Sequence, residues 1–155
     1  MAGLYFEDLV VGQVFRHALH RTLTEMDNVL FSSITHNPAR LHLDERYCVE
    51  ETEFSGRLVN SALTLGMMVG ISVGDTTLGT AVANLGWDEV RFPHPLYHGD
   101  TIRVETEVIE LRESRSRPNA GIVTFIHRAY NQDEVLVASC KRSGLQLKLT
   151  AGAPA

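Results

Sequence analysis

Cysteine and positive charge are scarce in this chain of 155 residues, and each shortage excludes a class of protein. The two cysteines, Cys48 and Cys140, form neither a metal-ligand spacing nor a disulfide framework, which indicates free thiols in a reducing compartment. Lysines and arginines number 14 against 19 acidic residues, so the net charge is −5. Because phosphate contacts need a basic face, we do not expect nucleic acid as a partner.

Long hydrophobic runs are also lacking. The longest, residues 58–73, is interrupted by polar side chains and is shorter than the roughly 20 residues of a membrane span. The N-terminus has no basic region typical of a signal peptide, so we expect a cytoplasmic protein with no membrane partner. A hydrophobic share of 44% and the length favour one globular domain over residues 1–150, with a frayed tail at 151–155.

The first half of the chain predicts a helix and a long loop. Thr24 and Asp27 have the spacing of a capping box, and the helix that they begin should end before Pro38. The apolar residues of this helix recur at helical spacing, at Met26, Val29, Leu30 and Ile34. Residues 39–57 have no sustained period and are interpreted as a long loop of functional importance.

A second helix and several strands follow. Residues 58–72 are apolar almost all round, which predicts a helix buried on every side, and Gly66 and Gly70 would let another element approach it closely. Strands are predicted at 14–20, 80–92, 102–108, 122–130 and 135–149. With no βαβ alternation, the expected class is α+β, with one antiparallel sheet packed on a mostly buried helix.

One candidate site lies where the first predicted helix ends, at His36, Asn37 and His42. Histidine can accept and donate a proton near neutral pH, and helix ends often carry functional residues. The alternative is that both histidines are solvated loop residues.

Two further clusters have simpler interpretations. His94 and His98 have a metal-like spacing, but the prolines around His94 forbid a regular helix, so exposed histidines on a turn are favoured over a metal site. A basic turn contains Arg112, Arg115 and Arg117. It is either a solvated connection between strands or a small phosphate-binding patch.

Several segments, in order and at matching spacing, resemble the MaoC-like dehydratases, which include the (R)-specific enoyl-CoA hydratases. Residues 6–13 (F-E-D-L-V-V-G-Q) are similar to the family's opening, and residues 37–44 lie where its motif D-x-N-P-x-H-x-D belongs. Residues 92–107 (F-P-H-P-L-Y-H-G-D-T-I-R-V-E-T-E) resemble its entry to an alternating strand. Residues 114–118, the following Gly-Ile-Val and the later Asn-Gln also match.

The resemblance implies a hotdog fold, in which an antiparallel sheet wraps around a long central helix, and a homodimer or higher homo-oligomer. It also implies that the protein adds water reversibly to a 2-enoyl-CoA thioester, with neither a cofactor nor a metal. Residues 58–72 would then be the central helix, and residues 39–57 the segment that shapes the acyl pocket.

By the same resemblance, the catalytic histidine falls on His42 and its partner aspartate on Asn37, whereas a gapped register places Thr35 at the aspartate position. Neither register supplies a carboxylate, so His42 would take a proton from water and return one to Cα alone, with Asn37 orienting the water. The junction before the central helix reads Val59-Asn60-Ser61. There the Ser61 backbone N–H would hold the thioester oxygen, and Val59 and Asn60 would contact the substrate.

Replacement of the aspartate by a neutral amide would suit a substrate with its own carboxylate, such as mesaconyl- or itaconyl-CoA. Arg40 or Arg57 could pair with that carboxylate, or both could face water. Arg115 and Arg117 could meet the CoA phosphates, either of the same chain or across a dimer. Two other functions stay open: a non-catalytic acyl-CoA-binding subunit, and a thioesterase that uses one of the carboxylates ahead of the central helix, Glu50, Glu51 or Glu53.

Overall fold

The computed structural model describes residues 3–149, so the tail expected at 151–155 lies outside the described residues. After a 3-10 helix at Phe6–Asp8, the chain forms two short strands, β1 (Val14–Arg16) and β2 (Arg21–Thr22). Four helices follow: α1 (Glu25–Ile34), α2 (Arg40–Leu43), α3 (Glu45–Glu51) and α4 (Ser61–Thr76). The chain then forms four long strands: β3 (Ala81–Arg91), β4 (Thr101–Glu113), β5 (Ala120–Tyr130) and β6 (Leu136–Leu147).

The strands form one antiparallel sheet in the order β1-β4-β5-β6-β3, and β2 pairs with the start of β4. α4 packs against β4, β5 and β6, so the sheet curves around this helix as the α+β prediction requires. The alternation that predicted β4 is confirmed, because Ile102, Val104 and Val108 are all buried and the charged residues between them are not. No helix among residues 3–149 is long and apolar enough to cross a membrane.

The prediction that the central helix is buried on every side is wrong. Met68, Ile71 and Ser72 face the sheet, whereas Gly66 and Gly70 lie on an exposed face. A Cβ atom built at either glycine would meet nothing within 4 Å. The apolar pattern is therefore explained only in part by the core of this chain.

The capping box at the start of α1 is confirmed, because the Thr24 side chain accepts from the Asp27 N–H and the Asp27 carboxylate accepts from the Thr24 N–H. The helix ends at Ile34, as predicted, but it does not bury its apolar stripe. Met26, Leu30 and Ile34 are exposed, whereas the polar Asn28 and Ser32 are fully buried. Asn28 is hydrogen-bonded to other segments, whereas the Ser32 hydroxyl has no partner among the described residues, so the inward face of α1 is polar but only partly paired.

Two other predicted segments differ from the structure. The supposed loop at 39–57 contains α2 and α3, and the Asp44 carboxylate caps α3 by accepting from the Tyr47 N–H at 2.9 Å. The predicted strand at 14–20 ends as β1 at Arg16, although the His17 N–H still donates to the Val104 carbonyl of β4 at 3.1 Å.

The interior has two apolar clusters separated by a polar layer. On β4, Thr106 lies between Val104, which belongs to one cluster, and Val108, which belongs to the other. The Thr106 hydroxyl is 2.8 Å from Nε2 of His17 and 2.8 Å from Nδ1 of His127. Burial, with a smaller contribution from the nearby Arg142 guanidinium, lowers the pKa of His127 to about 3. His127 is therefore a neutral core residue, not a catalytic group.

Candidate active site

His42 is the third residue of α2 and is half-buried. Its Nδ1 atom lies 3.0 Å from the carbonyl oxygen of Leu58. Because a carbonyl oxygen only accepts, Nδ1 must carry the proton, which leaves the lone pair of the neutral ring on Nε2. The ring is thus held in the tautomer that a general base needs.

The backbone strengthens this link. The Leu58 N–H donates to the Leu41 carbonyl at 2.8 Å, so α2 and the segment before α4 are joined in both directions. Asn37 lies at the turn into α2, where its side-chain oxygen accepts from the Ala39 N–H at 3.0 Å. No hydrogen bond joins the side chains of Asn37 and His42, which are both among the described residues.

The start of α4 presents a free amide. Asn60 caps the helix, with its side-chain oxygen accepting from the Ala62 N–H at 3.0 Å. Within residues 3–149 the Ser61 N–H has no acceptor. An amide at the first helical position carries the positive end of the helix dipole and can hold a developing negative charge.

Asn28 joins these parts and was not singled out from the sequence. Its side-chain oxygen accepts from the Asn60 N–H at 2.8 Å, which fixes the orientation of the amide. Its Nδ2 then faces the carbonyl oxygens of His42, at 3.2 Å, and Leu58, at 3.0 Å, together with Nε2 of His98 at 3.0 Å. One fully buried amide therefore connects the histidine, its acceptor and the helix start.

A cavity of about 250 Å³ opens beside this junction. Its walls are mostly apolar, and they are formed by Phe54, Leu58, Val59, Ser61, Thr64, Phe92, Pro93, His94, Pro95, Leu96 and Val137. Val59 is anchored there by a bond of 2.8 Å from its N–H to the Leu96 carbonyl. Predicted residues Val59 and Ser61 thus meet at one cavity, and Asn60 lies between them as the helix cap.

A second, more polar cavity of about 350 Å³ lies behind Asn28. Its charged lining consists of Glu25, Glu45 and Arg57, with His98 beside them. Burial and then the Arg57 charge lower the pKa of His98, which fits a neutral ring whose Nε2 accepts from Asn28.

The arginines predicted to meet a substrate carboxylate already have carboxylate partners. Arg40 lies 3.0 Å from Asp44 and 3.4 Å from Glu51. Arg57 lies 2.8 Å from Glu25 and 3.0 Å from Glu45. Neither arginine lines the cavity beside Ser61.

Arg115 and Arg117 are exposed in the turn between β4 and β5. The cavity lies at the opposite end of β4, and a strand of 13 residues spans about 40 Å. Within one chain, this turn does not reach the cavity.

The carboxylates considered for a thioesterase are also elsewhere. Glu50 pairs with Arg46 at 2.8 Å, Glu51 pairs with Arg40, and neither they nor Glu53 line the cavity. Among the cavity-lining residues of the described chain, none is an aspartate or a glutamate.

A sheet curved around one helix is the hotdog fold, and here a histidine is hydrogen-bonded to the segment that leads into that helix. The chain belongs to the MaoC-like domain family, whose model matches residues 8–131. This confirms the resemblance inferred from the motifs.

Similar proteins that carry a functional name support the same family assignment. The chain is 33% identical over 160 residues to mesaconyl-CoA hydratase of Cereibacter sphaeroides, covering 99% of this chain and 44% of that protein. It is 31% identical over 159 residues to β-methylmalyl-CoA dehydratase of Chloroflexus aurantiacus, covering 99% of this chain and 43% of that one. The chain therefore spans less than half the length of these relatives.

One of the solved structures that this chain superposes on is also a longer chain. A Mycobacterium tuberculosis protein described as having a double hotdog fold superposes with a TM-score of 0.87 at 29% identity. The match covers 99% of this chain and 47% of that one, so this chain corresponds to about one half of the double fold.

Proposed function

We propose that this protein is a hydratase that adds water reversibly to a 2-enoyl-CoA thioester with a second carboxylate, of the mesaconyl-CoA type. The observation that carries the proposal is the bond between His42 Nδ1 and the Leu58 carbonyl, which leaves the lone pair on Nε2 and ties His42 to the segment that leads into the Ser61 amide. His42 itself is not among the residues that line the cavity beside Ser61. The names of the relatives, mesaconyl-CoA hydratase and β-methylmalyl-CoA dehydratase, support the substrate class.

In the hydration direction, His42 Nε2 removes a proton from water while the water oxygen bonds to Cβ. The electron pair of the double bond moves towards the thioester, and the Ser61 N–H holds the charge on the carbonyl oxygen. The imidazolium of His42 then returns a proton to Cα, so that one water is added across the double bond. General-base catalysis of this kind contributes roughly 10²–10⁴ in rate.

Asn37 has a different role in this proposal from that of a carboxylate. Its side-chain oxygen is engaged by the Ala39 N–H, so it shapes the turn from which α2 presents His42. An amide does not exchange protons near neutral pH, which leaves both proton transfers to His42.

A second copy of the chain completes the assembly that we propose. The longer relatives and the double hotdog structure support a second hotdog domain beside the first. The exposed Gly66 and Gly70 face of α4 offers a surface on which a second domain can approach closely. Arg115 and Arg117 would meet CoA phosphates only if they act on the active site of the other copy.

The free, buried Cys48 and Cys140 fit the expected cytoplasmic location.

The test is a substrate panel with purified protein. Mesaconyl-CoA and crotonyl-CoA are followed by loss of enoyl absorbance, and saturated acyl-CoA by release of free thiol, for wild type and His42→Gln. We expect hydration by wild type only. Thiol release would instead indicate a thioesterase, and binding of acyl-CoA without turnover would indicate a non-catalytic subunit.

A further inference from the structure

His94 is the titratable side chain of the cavity beside Ser61, because every other lining residue in the described chain is apolar or carries a hydroxyl. We propose that His94, as an imidazolium, binds the second carboxylate of the substrate and so determines selectivity for dicarboxylic over monocarboxylic enoyl-CoA. This inference rests on the proposed function, which it deepens by naming the residue that recognises the acyl group.

The ring of His94 is aimed by its surroundings. Pro93 and Pro95 restrict the backbone on both sides, and Nδ1 lies 3.0 Å from the Leu136 carbonyl oxygen. Since that oxygen only accepts, Nδ1 carries a proton whether the ring is neutral or charged. Nε2 has no hydrogen-bond partner among residues 3–149 and is the atom left to meet a ligand.

The loop that carries His94 is attached to the catalytic junction. Leu96, two residues further on, accepts from the Val59 N–H, and Val59 precedes the Asn60 cap of α4. Ser61 and His94 therefore line one cavity from two segments that are hydrogen-bonded to each other. A thioester held by the Ser61 N–H would place its acyl group within this cavity.

Among residues 3–149, His94 is the cavity-lining residue that can carry a positive charge. Arg40 and Arg57 are each held by two carboxylates of the chain and lie outside the lining. His94 is exposed at the edge of this mostly apolar lining, so its ring is reachable both from solvent and from the cavity.

The other charged groups on the segments around His94 do not take its place as the partner of the substrate carboxylate. Those nearest in the chain are Arg91, His98, Asp100, Asp133 and Glu134. Arg91 donates to its neighbour's carbonyl, Asp100 accepts from the Tyr97 N–H and Glu134 pairs with Arg103. None of the five lines the cavity.

A neutral His94 presents its lone pair to the carboxylate, so binding requires a proton on Nε2. A substrate with a methyl or alkyl group in that place requires none. Selectivity, rather than catalysis itself, is the property that His94 should control.

The experiment compares kcat/KM for mesaconyl-CoA and crotonyl-CoA in wild type, His94→Gln, His94→Arg and the exposed control His20→Gln. We expect His94→Gln to lower the ratio of mesaconyl- to crotonyl-CoA activity about tenfold, the size of one charge-assisted hydrogen bond. His94→Arg, which keeps the positive charge, should preserve the preference. Equal losses on both substrates would overturn the inference, since His94 would then act on the shared CoA.

Binding without turnover separates this inference from the proposed function. Dissociation constants for succinyl-CoA and butyryl-CoA are measured with the same variants. A preference for succinyl-CoA that is lost in His94→Gln supports the role of His94 even if wild type hydrates nothing. Hydration of crotonyl-CoA with an unchanged ratio in His94→Gln removes the role of His94 and leaves the hydratase intact, and absence of any acyl-CoA binding by wild type overturns both.

Discussion

The imidazole Nδ1 of His42 lies 3.0 Å from the carbonyl oxygen of Leu58, three residues before the Ser61 amide that begins α4. This bond connects the proposed base to the proposed oxyanion donor through a short stretch of backbone. The two groups proposed to act on the double bond and on the thioester carbonyl are therefore held by the same junction.

His42→Gln should lower kcat by about 10²–10⁴, because the glutamine amide cannot take a proton from water. Steady-state hydration rates measure the effect, and circular dichroism and thermal melting check the fold. His36→Gln is the control, since His36 is exposed in the segment between α1 and α2. Turnover close to that of wild type in His42→Gln would contradict the assignment.

Asn28→Ala should both destabilise the protein and reduce turnover. It leaves the Asn60 N–H and the His42 carbonyl without their buried partner, at a cost of about 1–3 kcal/mol for each group that water does not reach, whereas the Leu58 carbonyl keeps the His42 Nδ1–H. Urea unfolding measures the loss, and kcat is measured at a temperature where the variant is folded. The exposed Asn119→Ala is the matched control. If kcat stays at the wild-type value in folded Asn28→Ala, the amide stabilises the fold without positioning His42.

The sequence predicts the sheet better than it predicts the site. Alternation on β4 fixes which side chains face the core, and the resemblance correctly places residues 58–72 at the central helix. The inward face of α1 was not predictable from apolar spacing, because Asn28 gains its partners only when residues 42, 58 and 60 come together. The same holds for His94, whose partner Leu136 is 42 residues away.

His127 should make stability depend on pH. Its folded pKa of about 3 lies below the ordinary histidine pKa of 6.5, so between these values the unfolded chain binds a proton that the folded chain excludes. The free energy of unfolding therefore falls as pH falls from 6.5 towards 3, by up to about 1.4 kcal/mol per pH unit. Urea unfolding of wild type, His127→Gln and the control His20→Gln between these limits measures the slope. We expect the dependence of the unfolding free energy on pH to become weaker in His127→Gln only, by an amount that corresponds to about one proton taken up on unfolding. An unchanged dependence in this variant would contradict the buried neutral state of His127.

Gly70→Leu should separate folding from assembly. No atom lies within 4 Å of a Cβ built at this position, so the single chain has room for the side chain. Leucine also favours a helix over glycine by about 0.8 kcal/mol, so the monomer should be at least as stable as wild type. If a second copy packs closely on this face of α4, the added side chain blocks the contact and the dimer dissociates. Sedimentation velocity measures the mass in solution.

The matched control is Ser33→Leu, which adds the same side chain to an exposed position of α1. It should leave the mass in solution as it is in wild type. A Gly70→Leu protein that is folded and still dimeric would show that the copies meet elsewhere. The expected result is a monomer in Gly70→Leu and a dimer in Ser33→Leu. It would show that the glycine face of α4, which is uncovered in a single chain, is covered by the second copy. The nearly continuous apolar pattern of this helix would then be explained.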